Sequence, residues 1–128
     1  MKTKHYSESL ENYLETIYMY GGEGVKSIDL AKHLDVSRAS VNNAVNSLIE
    51  KGLVTKALYG HVSLTKEGVG VAKKVLRKHE LVKAFLIDIL KVEPIQAEEE
   101  ACGIEHVISD YTADQIQILM DKLKKDSH

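Results

Sequence analysis

Residues 27–52 read SIDLAKHLDVSRASVNNAVNSLIEKG, and the punctuation of that stretch restricts the possible folds of this chain more than any other feature. Ile28, Ala31 and Leu34 repeat at helical spacing, and so do Val41, Ala44, Val45, Leu48 and Ile49. Only Asp35-Val36-Ser37 separates the two runs. Ser27 and Ser37 stand where helix N-caps belong, and Gly52 stands where the second helix must stop. Two short helices joined by a three-residue turn make a helix-turn-helix. The next stretch, LVTKALYGHVSLTKEG, offers two short strands, Leu53-Val54 and Val62-Ser63-Leu64, around a turn at Gly60. A strand pair after a helix-turn-helix is a wing.

The flanks are helical. In SESLENYLETIYMYGG (7–22), Leu10, Tyr13, Leu14, Ile17 and Tyr18 form an apolar stripe, capped by Ser7 or Ser9 and ended by Gly21-Gly22. Thr65 and Glu67 open a long helix, KEGVGVAKKVLRKHELVKAFLIDIL, with a break expected near Lys78 and Leu76, Leu81, Phe85, Leu86 and Leu90 on its apolar side. Pro94 suits the first turn of another helix over about 95–109. A last helix starts at Thr112 and presents Ile116, Ile118, Leu119 and Leu123. The expected fold is mainly α: a winged helix-turn-helix over residues 1–73, then a helical dimerisation domain over 74–128. The C-terminal helices are too few to close a core alone, so they are expected to bury their apolar faces against a second copy, as a homodimer.

Bulk properties narrow the function classes. The 128 residues are 44% hydrophobic and 28% charged, as in a folded rather than a disordered chain. No apolar run approaches the roughly 18 residues of a membrane span. The N-terminus lacks the apolar stretch of a signal peptide. One cysteine cannot form an internal disulfide, which fits a reducing, cytoplasmic location. The net charge of −2 conceals an asymmetry: residues 1–78 hold twelve Lys/Arg against eight Asp/Glu, and residues 79–128 hold five against eleven. The basic half suits a polyanion and the acidic half suits cations.

In a helix-turn-helix the second helix enters the DNA major groove with its N-terminal residues at the base edges. Here those positions are Ser37, Arg38, Ala39, Ser40, Asn42 and Asn43. Asn can pair bidentately with adenine, Ala can touch a thymine methyl, and Arg can hold guanine or phosphate. Lys56, His61 and Lys66 around the wing can hold the backbone. The expected partner is therefore double-stranded operator DNA.

The acidic half contains ACGIEHVISD (101–110), with Cys102, Glu105 and His106 at i, i+3 and i+4. On a helix these offer sulfur, carboxylate and imidazole on one face. The plainer reading makes Cys102 a small buried hydrophobe and Glu105 and His106 surface residues. A cysteine nucleophile activated by His106 has no other element of a catalytic site beside it, so no enzyme activity is expected. A metal site needs further donors, and the chain has them: His79 and Glu80 in RKHEL, and Asn12 and Glu15 one turn apart on the first helix. Mixed N, O and S donors with several carboxylates suit Fe(II), Mn(II) or Co(II) better than a closed zinc tetrahedron. Glu98, Glu99 and Glu100 read as a solvated first turn complementing the helix dipole.

LENYLETIY (10–18), the winged helix-turn-helix, RKHEL (77–81) and EACGIEHVISD (100–110) together resemble the diphtheria toxin repressor / manganese transport regulator family of metal-dependent repressors, over nearly the whole chain and in the same order. The resemblance is to its short form, without the SH3-like C-terminal domain of many iron-responsive members. It implies a homodimer that binds two ions per subunit and then grips operator DNA to repress metal-uptake genes. By matching positions, the implied ligands are Asn12, Glu15, His79, Cys102, Glu105 and His106. Cys102 is as in the iron-responsive branch, where the manganese-responsive branch has a carboxylate. Asn12 stands where those branches have Met and Asp, and Glu15 is as in the manganese branch. The set is a hybrid, implying Fe(II) or Mn(II), with Co(II), Ni(II) or Zn(II) able to substitute in vitro. A metal-independent winged-helix regulator answering to a small organic ligand is the alternative, and a metal-storage protein or metalloenzyme with the winged helix as an interaction module is a third.

Overall fold

A computed structural model of the chain describes residues 6–126. The N-terminal stretch read as lacking a signal peptide begins outside that range. The elements in order are α1 (Glu8–Met19), β1 (Val25–Lys26), α2 (Ser27–Leu34), α3 (Arg38–Glu50), β2 (Val54–Lys56), β3 (His61–Leu64), α4 (Lys66–Asp88), α5 (Pro94–Ile104) and α6 (Asp110–Asp126). They form two compact units that divide between Lys74 and Val75.

The first unit is a winged helix-turn-helix. Ser7 caps α1 by accepting a hydrogen bond from the Leu10 N–H, and Ser37 caps α3 in the same way from Ser40. The turn between α2 and α3 rests on Asp35, which adopts the left-handed conformation (φ 53°) that Asp tolerates better than most residues. The N-cap of α2 is Lys26 rather than Ser27; the Ser27 hydroxyl instead donates to the Gly60 carbonyl, 3.0 Å away. Leu14, Ile17, Leu30, Val41, Val45, Leu48, Leu53, Val54 and Val62 form the core. Two expected core residues sit outside it. Ile28 and Ile49 are 40% and 39% exposed, because Leu30 is the buried residue of α2 and α3 buries only Val41, Val45 and Leu48.

The wing has three strands where two were expected. Their order is β1-β3-β2, all antiparallel, with Val25 opposite Val62 and Val54 opposite Leu64. β1 is two residues long, too short for any alternation to announce it. It ties the start of α2 directly to the wing.

In the second unit, Val82 and Leu86 of α4 cluster with Ala97 and Ala101 of α5, with Phe85, Ile104, Ile108 and Ile116 packed on them. Lys78 donates to the Ile108 carbonyl at 2.9 Å and pairs with Asp110, while Arg77 pairs with Asp114 at 2.8 Å. The expected break near Lys78 does not occur: α4 runs unbroken to Asp88, with no Gly or Pro after Gly70 to interrupt it. Leu90 lies beyond its end and is exposed. α5 stops at Ile104, not near 109, and α6 starts at Asp110, two residues before Thr112. Among the described residues no helix is long and apolar enough to cross a membrane.

Candidate metal centre and nucleic-acid interface

Two helices of the second unit each present a pair of side chains four residues apart: His79 and Lys83 from α4, Glu98 and Cys102 from α5. That spacing sets each pair on one face. Beside Glu98 and Cys102 runs the buried Ala97–Ala101 row, whose small side chains permit a close approach of α5 to α4. Pro94 starts α5, and Glu93 caps it by accepting from the Gln96 N–H. The ligating atoms of His79, Glu98 and Cys102 all lie within 4.8 Å of one another.

His79 is the hub. Its Nε2 lies 2.5 Å from Glu98 Oε2, and its Nδ1 lies 3.2 Å from Glu105 Oε1. A neutral imidazole donates from one nitrogen only, so two carboxylates at one ring call for either a protonated ring or a cation between acceptors. Glu105 Oε1 also lies 3.8 Å from His106 Nε2. Both side chains are inaccessible, at 0% and 1% exposure, and Glu105 Oε2 has no hydrogen-bond partner among the described residues. A buried carboxylate oxygen left unsatisfied is costly in a folded chain. A carboxylate oxygen in that position has the chemistry to bind a cation.

The arrangement differs from the expected one in three ways. Glu105 is the C-cap of α5 and His106 follows it in the turn, so the helix ends before the expected three-residue face is complete. The thiol groups with His79 and Glu98, while Glu105 meets His79 and His106. The plainer reading is inverted: Cys102 is exposed, and Glu105 and His106 are buried. Glu98 is the residue missed by sequence reasoning. Far from being simply solvated, it bridges His79 and Lys83, whose Nζ lies 3.0 Å from Glu98 Oε1. The Lys83 ammonium holds the Glu98 carboxyl below the usual carboxylate range, burial opposing and His79 reinforcing it; Lys83 is itself held above its ordinary value by the same carboxylate. The spacing of Glu98 four residues before Cys102 was the available signal.

Asn12 and Glu15 lie half-buried one turn apart on α1, in the first unit, and the Asn12 carbonyl accepts from the Thr16 hydroxyl at 2.8 Å. Ser37, Arg38, Ala39, Ser40, Asn42 and Asn43 are all exposed at the N-terminal end of α3. Ser37 is committed to capping, and its hydroxyl also meets that of Ser40.

A winged helix-turn-helix in one unit, with clustered imidazole, carboxylate and thiol donors in the other, describes the class of DNA-binding regulators that respond to metal. Two family profiles match consecutive stretches: "Iron dependent repressor, N-terminal DNA binding domain" over residues 5–62, and "Iron dependent repressor, metal binding and dimerisation domain" over residues 65–128. The chain belongs to the iron-dependent repressor family. It is 38% identical over 121 residues to an uncharacterised HTH-type transcriptional regulator of Methanocaldococcus jannaschii, covering 92% of this chain and 97% of that one. The iron-dependent repressor IdeR of Mycobacterium tuberculosis is 35% identical over 105 residues, which cover 80% of this chain and 46% of IdeR. The solved structure of the manganese regulator SloR superposes with a TM-score of 0.78 at 29% identity, covering 94% of this chain and 55% of SloR. The chain thus spans nearly all of the archaeal relative and about half of the other two.

Proposed function

We propose that this chain is a metal-dependent transcriptional repressor of metal-uptake genes, acting in the cytoplasm as a homodimer that binds double-stranded operator DNA when loaded with Fe(II) or Mn(II). The observation that carries the proposal is the convergence of His79, Glu98 and Cys102 within 4.8 Å, with the buried Glu105 carboxylate at the other ring nitrogen of His79. The reading is one of binding, not catalysis. The proposed ligands are His79, Glu98, Cys102, Glu105 and His106 of the second unit, with Asn12 and Glu15 as the donors from α1. Family membership and donor chemistry support that set. A divalent ion bound there supplies the positive charge that facing carboxylates and a thiolate need.

The residues have separable tasks. Glu105 orients the His79 ring through Nδ1, as a carboxylate behind a ligating imidazole commonly does. Lys83 restrains one oxygen of Glu98 and leaves the other directed at His79. Ser37 fixes the start of α3, so that its first turn is presented in one conformation. By linkage, any gain in DNA affinity on metal loading equals the gain in metal affinity on DNA binding, typically about 1–3 kcal/mol.

Gel-shift titrations with EDTA, Mn(II), Fe(II), Co(II) and Zn(II) against DNA from the chain's own upstream region test the reading. The expected result is specific binding that EDTA abolishes and one or more of these ions restores, with Glu105→Gln and His106→Ala losing that metal response. Specific binding indifferent to EDTA overturns the reading in favour of a metal-independent regulator. An unaltered metal dependence in both variants overturns the site assignment.

A further inference from the structure

Three cations of α4 pair with acids on other helices of the second unit, and two of them are plain ties. Arg77 meets Asp114 at 2.8 Å and Lys78 meets Asp110 at 3.3 Å, both acids lying on α6 outside the donor clusters. Lys83 is different, because its partner is a donor. Its Nζ lies 3.0 Å from Oε1 of Glu98, while Oε2 of the same carboxylate lies 2.5 Å from Nε2 of His79. His79 and Lys83 stand one turn apart on α4, and Glu98 and Cys102 one turn apart on α5. The ammonium therefore shares a seam with the donors. Its side chain is only 33% exposed, which weakens the solvent screening of its charge.

Such an ammonium acts in two ways on an ion held by His79, Glu98 and Cys102. It repels every divalent ion alike, since Coulomb repulsion depends on charge and not on the element. It also occupies Oε1, so that Glu98 offers a single oxygen. This second effect discriminates. Mn(II) takes six ligands, favours hard oxygens and gains from a carboxylate that gives both, whereas Zn(II) is satisfied by four donors that include nitrogen and sulfur. We propose that Lys83 is a selectivity residue, which by holding Oε1 makes Glu98 a one-oxygen ligand and turns the centre from Mn(II) toward ions of lower coordination number. The proposal rests on the metal-binding reading and adds to it a positioning residue that acts on the ion through a ligand. The competing account makes the Lys83–Glu98 pair a third tie between helices, with no bearing on the ion.

Two substitutions separate these accounts. Lys83→Met removes the ammonium and its hydrogen bond but keeps a long stem, and Lys83→Arg keeps both charge and donor. The full chain is titrated anaerobically with Mn(II) and with Zn(II), each in competition with a chromophoric chelator. Lys83→Met is expected to bind both ions more tightly, and Mn(II) the more so. The Mn(II)/Zn(II) affinity ratio should rise by about tenfold, within the range for residues that orient a ligand. Lys83→Arg is expected to keep the wild-type ratio, and so is Arg77→Met, which breaks a tie to α6. Circular dichroism melts report whether each variant folds. A ratio unchanged in folded Lys83→Met overturns the selectivity role. A lowered melt with both affinities at wild type reduces the pair to a tie between α4 and α5. Failure of wild type to bind either ion defeats the metal reading itself, a separate outcome.

Discussion

Glu98 sits between an imidazole and an ammonium, and Cys102, an exposed residue, lies one turn further along the same helix. These two residues give the candidate centre its chemical character: one hard anionic oxygen tempered by Lys83, and one soft sulfur. Softness is a property of the atom, so exchanging the atom tests it. Cys102→Glu puts a hard carboxylate where the thiolate stood, which favours Mn(II) relative to Co(II) and Zn(II). The expected outcome is a rise of about tenfold in the Mn(II)/Co(II) affinity ratio, equivalent to about 1.4 kcal/mol. Anaerobic competition against a chromophoric chelator measures it. An ion ranking unchanged from wild type removes sulfur from the centre.

At the scale of elements, local signals were legible where local physics decides. Ser7 and Ser37 announced the starts of α1 and α3 because a capping hydroxyl needs only its own backbone. The end of α5 was not legible: Ile104, Val107 and Ile108 continue a helical apolar spacing, yet the chain turns at Glu105 to bury a carboxylate and an imidazole. Periodicity records which residues are apolar, and here the buried residues are polar. Glu98 was hidden for a related reason, since an acidic run near a helix start looks the same whether or not one member has found a histidine and a lysine. The first turn of α4 offers another element-scale test. A Cβ on Gly68 would overlap the Leu53 carbonyl, whereas one on Gly70 meets nothing within 4 Å. Alanine ordinarily stabilises a helix interior relative to glycine by roughly 0.5–1 kcal/mol. Gly70→Ala is expected to show that gain, and Gly68→Ala to lose about 1–3 kcal/mol through backbone displacement. Urea denaturation of the two variants distinguishes a packing constraint at residue 68 from a general preference for flexibility in that turn.

For the whole molecule, the decisive quantity is apolar surface left uncovered. The second unit buries a modest core around Val82, Leu86, Ala97 and Ala101, with Val75, Ala113 and Met120 also buried, while Ile95, Tyr111 and Ile118 remain 70%, 72% and 59% exposed and Leu119 and Leu123 are partly uncovered. Leu119 and Leu123 stand four residues apart on α6 and therefore on one face. A unit of this size with so small a core gains most by pairing with a copy of itself, provided the pair covers roughly 800 Å² per partner. Leu119→Glu with Leu123→Glu places two like charges on each copy in that face, and sedimentation equilibrium is expected to report a dimer for wild type and a monomer for the variant. Metal binding is read separately, because a monomer that still takes up the ion localises the defect to pairing. A dimer reads two half-sites and a monomer only one, so the variant is expected to lose about 10²–10⁴-fold in operator affinity while its affinity for a single half-site stays near wild type. A variant that remains dimeric places the subunit contact on another surface. One that becomes monomeric yet binds the full operator as tightly as wild type removes the need for two reading heads.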